Sequence, residues 1–190
     1  PTVHYSQDFD NYSNGTTNLG DGTVIVGQAA SIQNGKLRLT IDGQSLDYSS
    51  FSIPGFSNSS NGWTASFDYE LYDSPDDSNP ADGFSFNYGD ATLGELGGGE
   101  EGMVNPDGDN TVEGVTENIS FEVDTWMNGD SEQGLNISGV SAGSDLEELA
   151  FTNGVILEDG STKTGKITIS WSPTIGASFT TTGMTTNANF

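Results

Sequence analysis

The chain has 190 residues, no cysteine, and 28 acidic against four basic side chains, for a formal charge of −24. That field repels nucleic acid and anionic membrane surfaces and draws in cations, so neither is expected as a partner. Without thiols there is no disulfide framework, thiolate metal centre or cysteine nucleophile.

No apolar run approaches membrane-spanning length, so no membrane insertion is expected, and the length suits one domain over residues 1–190. The abundance of Asp, Gly, Asn, Ser and Thr with little Lys fits a secreted or cell-surface protein living in salt or divalent ions. A start at Pro1, with neither Met nor a signal peptide, is expected of a mature piece or an excised domain.

From Val3 to Asp10 the pattern predicts an extended start with Val3, Tyr5 and Phe9 as its apolar positions, followed by turns at Asn14-Gly15 and Leu19-Gly20-Asp21-Gly22. His4, the single histidine, reads as a surface side chain. Leu37, Leu39 and Ile41 alternate with Arg38 and Thr40 between Asn34-Gly35 and Asp42-Gly43, which predicts a strand over 36–41. A shorter one spans 51–53 and stops at Pro54-Gly55. The clearest strand runs from Trp63 to Leu71, with Trp63, Ala65, Phe67, Tyr69 and Leu71 on the core face.

The acidic loop 73–83 carries Pro75 and Pro80 and delivers Asp82 to a strand in which Phe84, Phe86 and Tyr88 alternate with Ser85 and Asn87. A glycine-rich loop fills 89–114, a length that points to function or mobility. Within it Asn105, Asp107 and Asp109 have the spacing of the first calcium-loop ligands, but Asn110 and Thr116 stand where that loop has Gly and Glu. A plain solvated turn is the competing reading. Glu100 and Glu101 are open to either role. Further strands are predicted over 135–140, 166–171 and 177–182, with Trp63 and Trp171 packed in the core, and a short helix-like fragment over 145–149. Ala188 and Phe190 resemble the opening of another strand, so a closing strand is expected to be missing from this piece.

One stretch concentrates the chemistry. Ile119, Phe121 and Val123 alternate with Ser120, Glu122 and Asp124, so both carboxylates project from one strand face about 7 Å apart. Like charges held that close repel unless a cation, a proton or a cationic side chain compensates them. With four Lys and Arg in the whole chain, a metal ion is the first compensator to consider, and Asn128 and Asp130 add hard oxygen donors suited to Ca²⁺. The plain alternative is a solvated strand face followed by a polar turn.

Three pieces in order carry a resemblance: Ala81-Asp82-Gly83-Phe84-Ser85-Phe86, then Gly97-Gly98-Gly99, then Phe121-Glu122-Val123-Asp124-Thr125-Trp126-Met127-Asn128. Together they resemble the metal and sugar site of legume-type lectins, members of the concanavalin A-like group that includes bacterial extracellular and adhesin modules. The resemblance implies an all-β, jelly-roll β-sandwich. It also implies Ca²⁺ held by Asp124, Asn128 and the backbone carbonyl near Trp126, with Asp82 accepting sugar hydroxyls. Gly98 or Gly99 would offer a backbone N–H, Asn128 an amide, and Trp126 a ring face.

Two features depart from the legume pattern. Asp130 follows Asn128 too closely, and no His follows His4, so a transition-metal site is not expected. Glu122 is then a ligand of a single Ca²⁺ or a group behind the ligands, and the bacterial modules are the better comparison.

Glu122-x-Asp124 also resembles the catalytic strand of jelly-roll glycoside hydrolases, but Met127 and Asn128 stand where the acid/base carboxylate should follow. Without that proton donor the leaving group is not activated, so no catalysis is expected. The sequence expectation is a calcium-dependent carbohydrate-binding module, non-catalytic and extracellular, with a neutral glycan as ligand. The alternatives are a structural or adhesion domain with Ca²⁺ and no sugar, and a degenerate glycanase.

Overall fold

A computed structural model of the chain describes residues 2–43, 48–72, 83–89, 93–94, 117–125, 134–141, 147–153, 162–181 and 184–188. These form twelve strands and one 3₁₀ turn, with every strand pairing antiparallel. The fold class is all-β. Among the described residues no helix is long and apolar enough to cross a membrane. The chain gathers into two compact units, one of Pro1–Ser57 with Ala91–Gly97, the other of Asn58–Asp90 with Gly98–Phe190.

In the first unit β1 (Val24–Gly27) pairs with β4 (Ser49–Ser52), and β2 (Ser31–Gln33) with β3 (Lys36–Arg38). Asn34 and Gly35 join β2 to β3 with φ of 52° and 72°. Two successive positive φ values match the right-handed twist of a two-residue hairpin, and Asn followed by Gly tolerates them at least cost. The strand expected over 36–41 ends at Arg38, because β2 offers only three residues to pair with. On its other side β2 is capped by residues 15–16: Gly15 donates to the Ile32 carbonyl at 2.8 Å, and the Ile32 amide donates to Thr16 at 2.8 Å. Leu19, Ala29, Ala30 and Ile32 are buried here. The N-terminal segment pairs in no ladder, and Tyr5 and Phe9 instead set their rings against Phe51 at 6.1 and 6.0 Å.

The second unit contains two four-stranded sheets. After the 3₁₀ turn (Ser59–Asn61) comes β5 (Trp63–Tyr72), whose side chains alternate half-buried and exposed along all ten residues, as its sequence predicts. The next four strands, β6 (Gly83–Gly89), β7 (Glu117–Asp124), β8 (Gly134–Ser141) and β9 (Glu147–Asn153), form one sheet in chain order. The chain then returns to the first sheet as β10 (Thr162–Ser172), which pairs with β5 from Thr162↔Tyr72 to Trp171↔Trp63, and β11 (Gly176–Thr181) and β12 (Met184–Ala188) follow at its side.

Both sheets contribute to one core: Phe121, Val123, Leu135 and Ile137 from the meander, and Ile167, Ile169, Ala177 and Phe179 from the other sheet. Burying side chains of this size stabilises by about 1.5–3 kcal/mol each for the larger ones. Trp63 and Trp171 pack against this core, as expected, and Tyr88 lies 5.0 and 5.5 Å from their rings. The helix-like fragment at 145–149 is overturned where it is described, since Glu147–Leu149 open β9. Five residues cannot hold a helix alone, and the free edge of β8 supplies hydrogen-bond partners. Ala188 belongs to β12 (Met184–Ala188), and Phe190 lies outside the described residues.

Candidate functional site

The middle of the meander holds the carboxylate strand. Because β7 lies between β6 and β8, its residues are aligned with neighbours on both sides: Ser85↔Glu122↔Asn136 forms one row, and Gly83↔Asp124↔Gly134 the next. The second row brings two of the three sequence pieces together at one sheet end. Gly83, the residue after Asp82, stands directly across from Asp124. Gly83 has φ of 140°, a conformation that side chains other than glycine rarely adopt, so the Ala-Asp-Gly piece needs its glycine at this junction.

The inner face of β7 is apolar, with Phe121 and Val123 buried in the core. Its outer face is closed as well: Glu122 is 1% exposed and Ser120 3%, and Thr125, just past the strand end, is 3% exposed. The solvated strand face is therefore overturned at Glu122. All three polar residues are engaged by neighbours. Beside them on β6, Asn87 donates from Nδ2 to Ser85 Oγ at 2.8 Å, while its buried Oδ1 meets no donor among the described residues. Sequence reasoning did not assign Ser85 and Asn87 to the site. Their alternation with Phe84, Phe86 and Tyr88 was the available signal, since it sets them on the face that Glu122 shares.

A carboxylate removed from water needs a cation, a set of hydrogen-bond donors or a proton to offset its desolvation. All four Lys and Arg are described: Lys36 and Arg38 on β3, Lys163 and Lys166 on β10, and none on the sheet that carries Glu122. The expected donor set of Glu122, Asp124, Asn128, Asp130 and the carbonyl near Trp126 offers only oxygen, which suits a hard cation such as Ca²⁺. Among the described residues no three His, Asp or Glu side chains gather into a metal-binding group. Asp82, Gly98, Gly99, Trp126, Asn128 and Asp130 lie outside the described residues, as do Glu100, Glu101, Asn105, Asp107 and Asp109, and Asp124 is described by its backbone register alone.

His4 is exposed and stacks on Phe56 with centroids 4.3 Å apart, in the first unit. No family model matches the chain, and no curated protein matches it.

Proposed function

We propose that this chain is a calcium-dependent carbohydrate-binding module of a secreted or cell-surface protein, non-catalytic, with a jelly-roll sandwich of the concanavalin A-like kind. The observation that carries the reading is the pairing of Gly83 with Asp124, which makes the Ala-Asp-Gly and Glu-x-Asp-Thr pieces neighbours on adjacent strands. Lectin sites of this type need that adjacency, because one carboxylate must fix the metal while the other accepts a sugar hydroxyl beside it.

In this reading Asp124, Asn128, Asp130 and the carbonyl near Trp126 hold Ca²⁺, with Glu122 as a further ligand or directly behind them. Asp82 accepts sugar hydroxyls, Gly98 or Gly99 and Asn128 donate to them, and the Trp126 ring covers the C–H face of the sugar. The ion supplies rigidity and positive charge, which loops rich in Gly and Asp lack by themselves. A charge of −24 repels uronate and sulfated glycans, which favours a neutral glycan as ligand.

Glycan-array binding with Ca²⁺, and again with excess chelator, tests this directly. Binding that disappears on chelation supports the module. Absence of binding by a folded, calcium-loaded sample overturns it in favour of a structural adhesion domain, and release of reducing sugar overturns its non-catalytic character.

A further inference from the structure

Asn-Gly pairs are prone to an intramolecular reaction, because a glycine amide has no side chain to keep it from the preceding Asn carbonyl. Three such pairs lie wholly within the described residues: Asn14-Gly15, Asn34-Gly35 and Asn61-Gly62. Their surroundings differ. The Gly15 amide donates to Ile32 at 2.8 Å, and the Gly62 amide to Ser59 at 3.1 Å. Among the described residues the Gly35 amide donates to no acceptor.

Two further groups converge on the Asn34-Gly35 pair, whose Asn34 is exposed at the tip of the β2–β3 hairpin. Asn14 Nδ2 donates to Asn34 Oδ1 at 3.2 Å, which polarises the side-chain carbonyl and stabilises negative charge developing on its oxygen. Asn14 is itself held in place, since its Oδ1 accepts the Asn34 backbone N–H at 2.7 Å. Asp10 lies against Gly35, where an added Cβ would meet Asp10 Oδ1 at 2.8 Å. The nucleophilic nitrogen, an oxyanion donor and a carboxylate lying against the Gly35 backbone thus surround one exposed amide.

We propose that Asn34 is a self-modifying position that deamidates with the help of Asp10 and Asn14. The Gly35 nitrogen attacks Asn34 Cγ while its proton passes to the Asp10 carboxylate. The tetrahedral oxyanion, bonded by Asn14 Nδ2, collapses with cleavage of the Cγ–Nδ2 bond, and ammonia leaves with the proton from Asp10. Water then opens the succinimide ring at either carbonyl, leaving aspartate or isoaspartate at position 34, with no change of oxidation state. Both products put a second carboxylate beside Asp10. The isoaspartate also inserts a methylene into the main chain of a two-residue turn, which loosens the hairpin.

The test is incubation of the whole folded protein in neutral buffer made with heavy-oxygen water, followed by peptide mass mapping of oxygen incorporation at each of the three sites. Asn34 is expected to convert about fivefold or more faster than Asn14 and Asn61, since each of those must first break a backbone hydrogen bond. The same chain in denaturant is expected to lose this preference, which separates the effect of the fold from that of neighbouring sequence. Asp10→Asn is expected to slow Asn34 several-fold and leave Asn61 unchanged. Equal conversion at the three sites in the folded protein overturns the proposal, and an unchanged Asn34 rate in Asp10→Asn overturns the role of the carboxylate.

Discussion

Glu122 shows how a single side chain separates the competing accounts of its strand. It is closed from water, so removing it acts on packing and on charge together. Glu122→Ala leaves a cavity and strands the groups that engage it, and is expected to cost about 2–4 kcal/mol in urea unfolding. Glu122→Gln keeps the volume and removes the ionisable carboxyl. Its stability without metal is expected to hold or rise, while the stabilisation by added Ca²⁺ falls; an undiminished calcium effect would remove Glu122 from the metal site.

A second residue-scale case belongs to the first unit, where Tyr5 donates to Asp21 Oδ2 at 3.3 Å. Burial, and then the charge of Asp21, push the Tyr5 hydroxyl from 10.0 up to about 12. The folded state therefore favours the neutral phenol. The stability this contributes is complete below pH 10 and is lost as pH rises from 10 towards 12. Tyr5→Phe is expected to remove that alkaline loss, read by circular dichroism against pH. Asp21 runs the other way. The Thr23 hydroxyl holds its carboxyl below 3.8, so its contribution is present above that value and disappears in more acid solution.

At the scale of elements, β5 and β10 are both legible and demanding. Each alternates so cleanly that its core face can be read off the sequence, and in the folded chain ten residues of one pair with ten of the other. Their close approach has a specific requirement. A Cβ at Gly165 would meet Tyr69 ring carbons at 2.9 Å, with the phenol oxygen at 2.8 Å. Gly165→Ala is expected to destabilise by about 1–3 kcal/mol in urea, the cost of overpacking. β7 is the contrasting element. Its alternation marked the core face correctly, yet the same pattern is compatible with an outer face that is wet or dry. β1 was missed because Val-Ile-Val-Gly is a continuous apolar run without alternation, and β9 because Asp-Leu-Glu-Glu-Leu carries local helical spacing that the edge of β8 overrides.

For the whole molecule, self-repulsion at a charge of −24 opposes compaction, and salt relieves it. Sodium chloride is therefore expected to raise the melting temperature gradually. If the proposed site is present, Ca²⁺ at a hundredfold excess over its Kd adds about 2.7 kcal/mol, roughly 5–10 °C for a chain of this length, beyond sodium at equal ionic strength. Identical melting curves in the two salts at matched ionic strength would leave no specific calcium site. Asp124→Ala is expected to abolish that calcium increment and glycan binding together. Asp82→Ala is expected to lower glycan binding while the calcium increment persists.

Period-two alternation and turn chemistry act over a few neighbouring positions, so the all-β class and the core faces of β5, β6, β7 and β10 are legible in the chain, whereas most of the candidate site residues are what the lectin resemblance implies. That Gly83 stands opposite Asp124, that Glu122 is shut from water, that Asn14 bonds Asn34 and that Asp10 lies against Gly35 emerges in the folded chain alone. Each of those depends on pairing between segments distant in the chain. Such pairing is settled by which faces find each other during packing, and no local pattern encodes it.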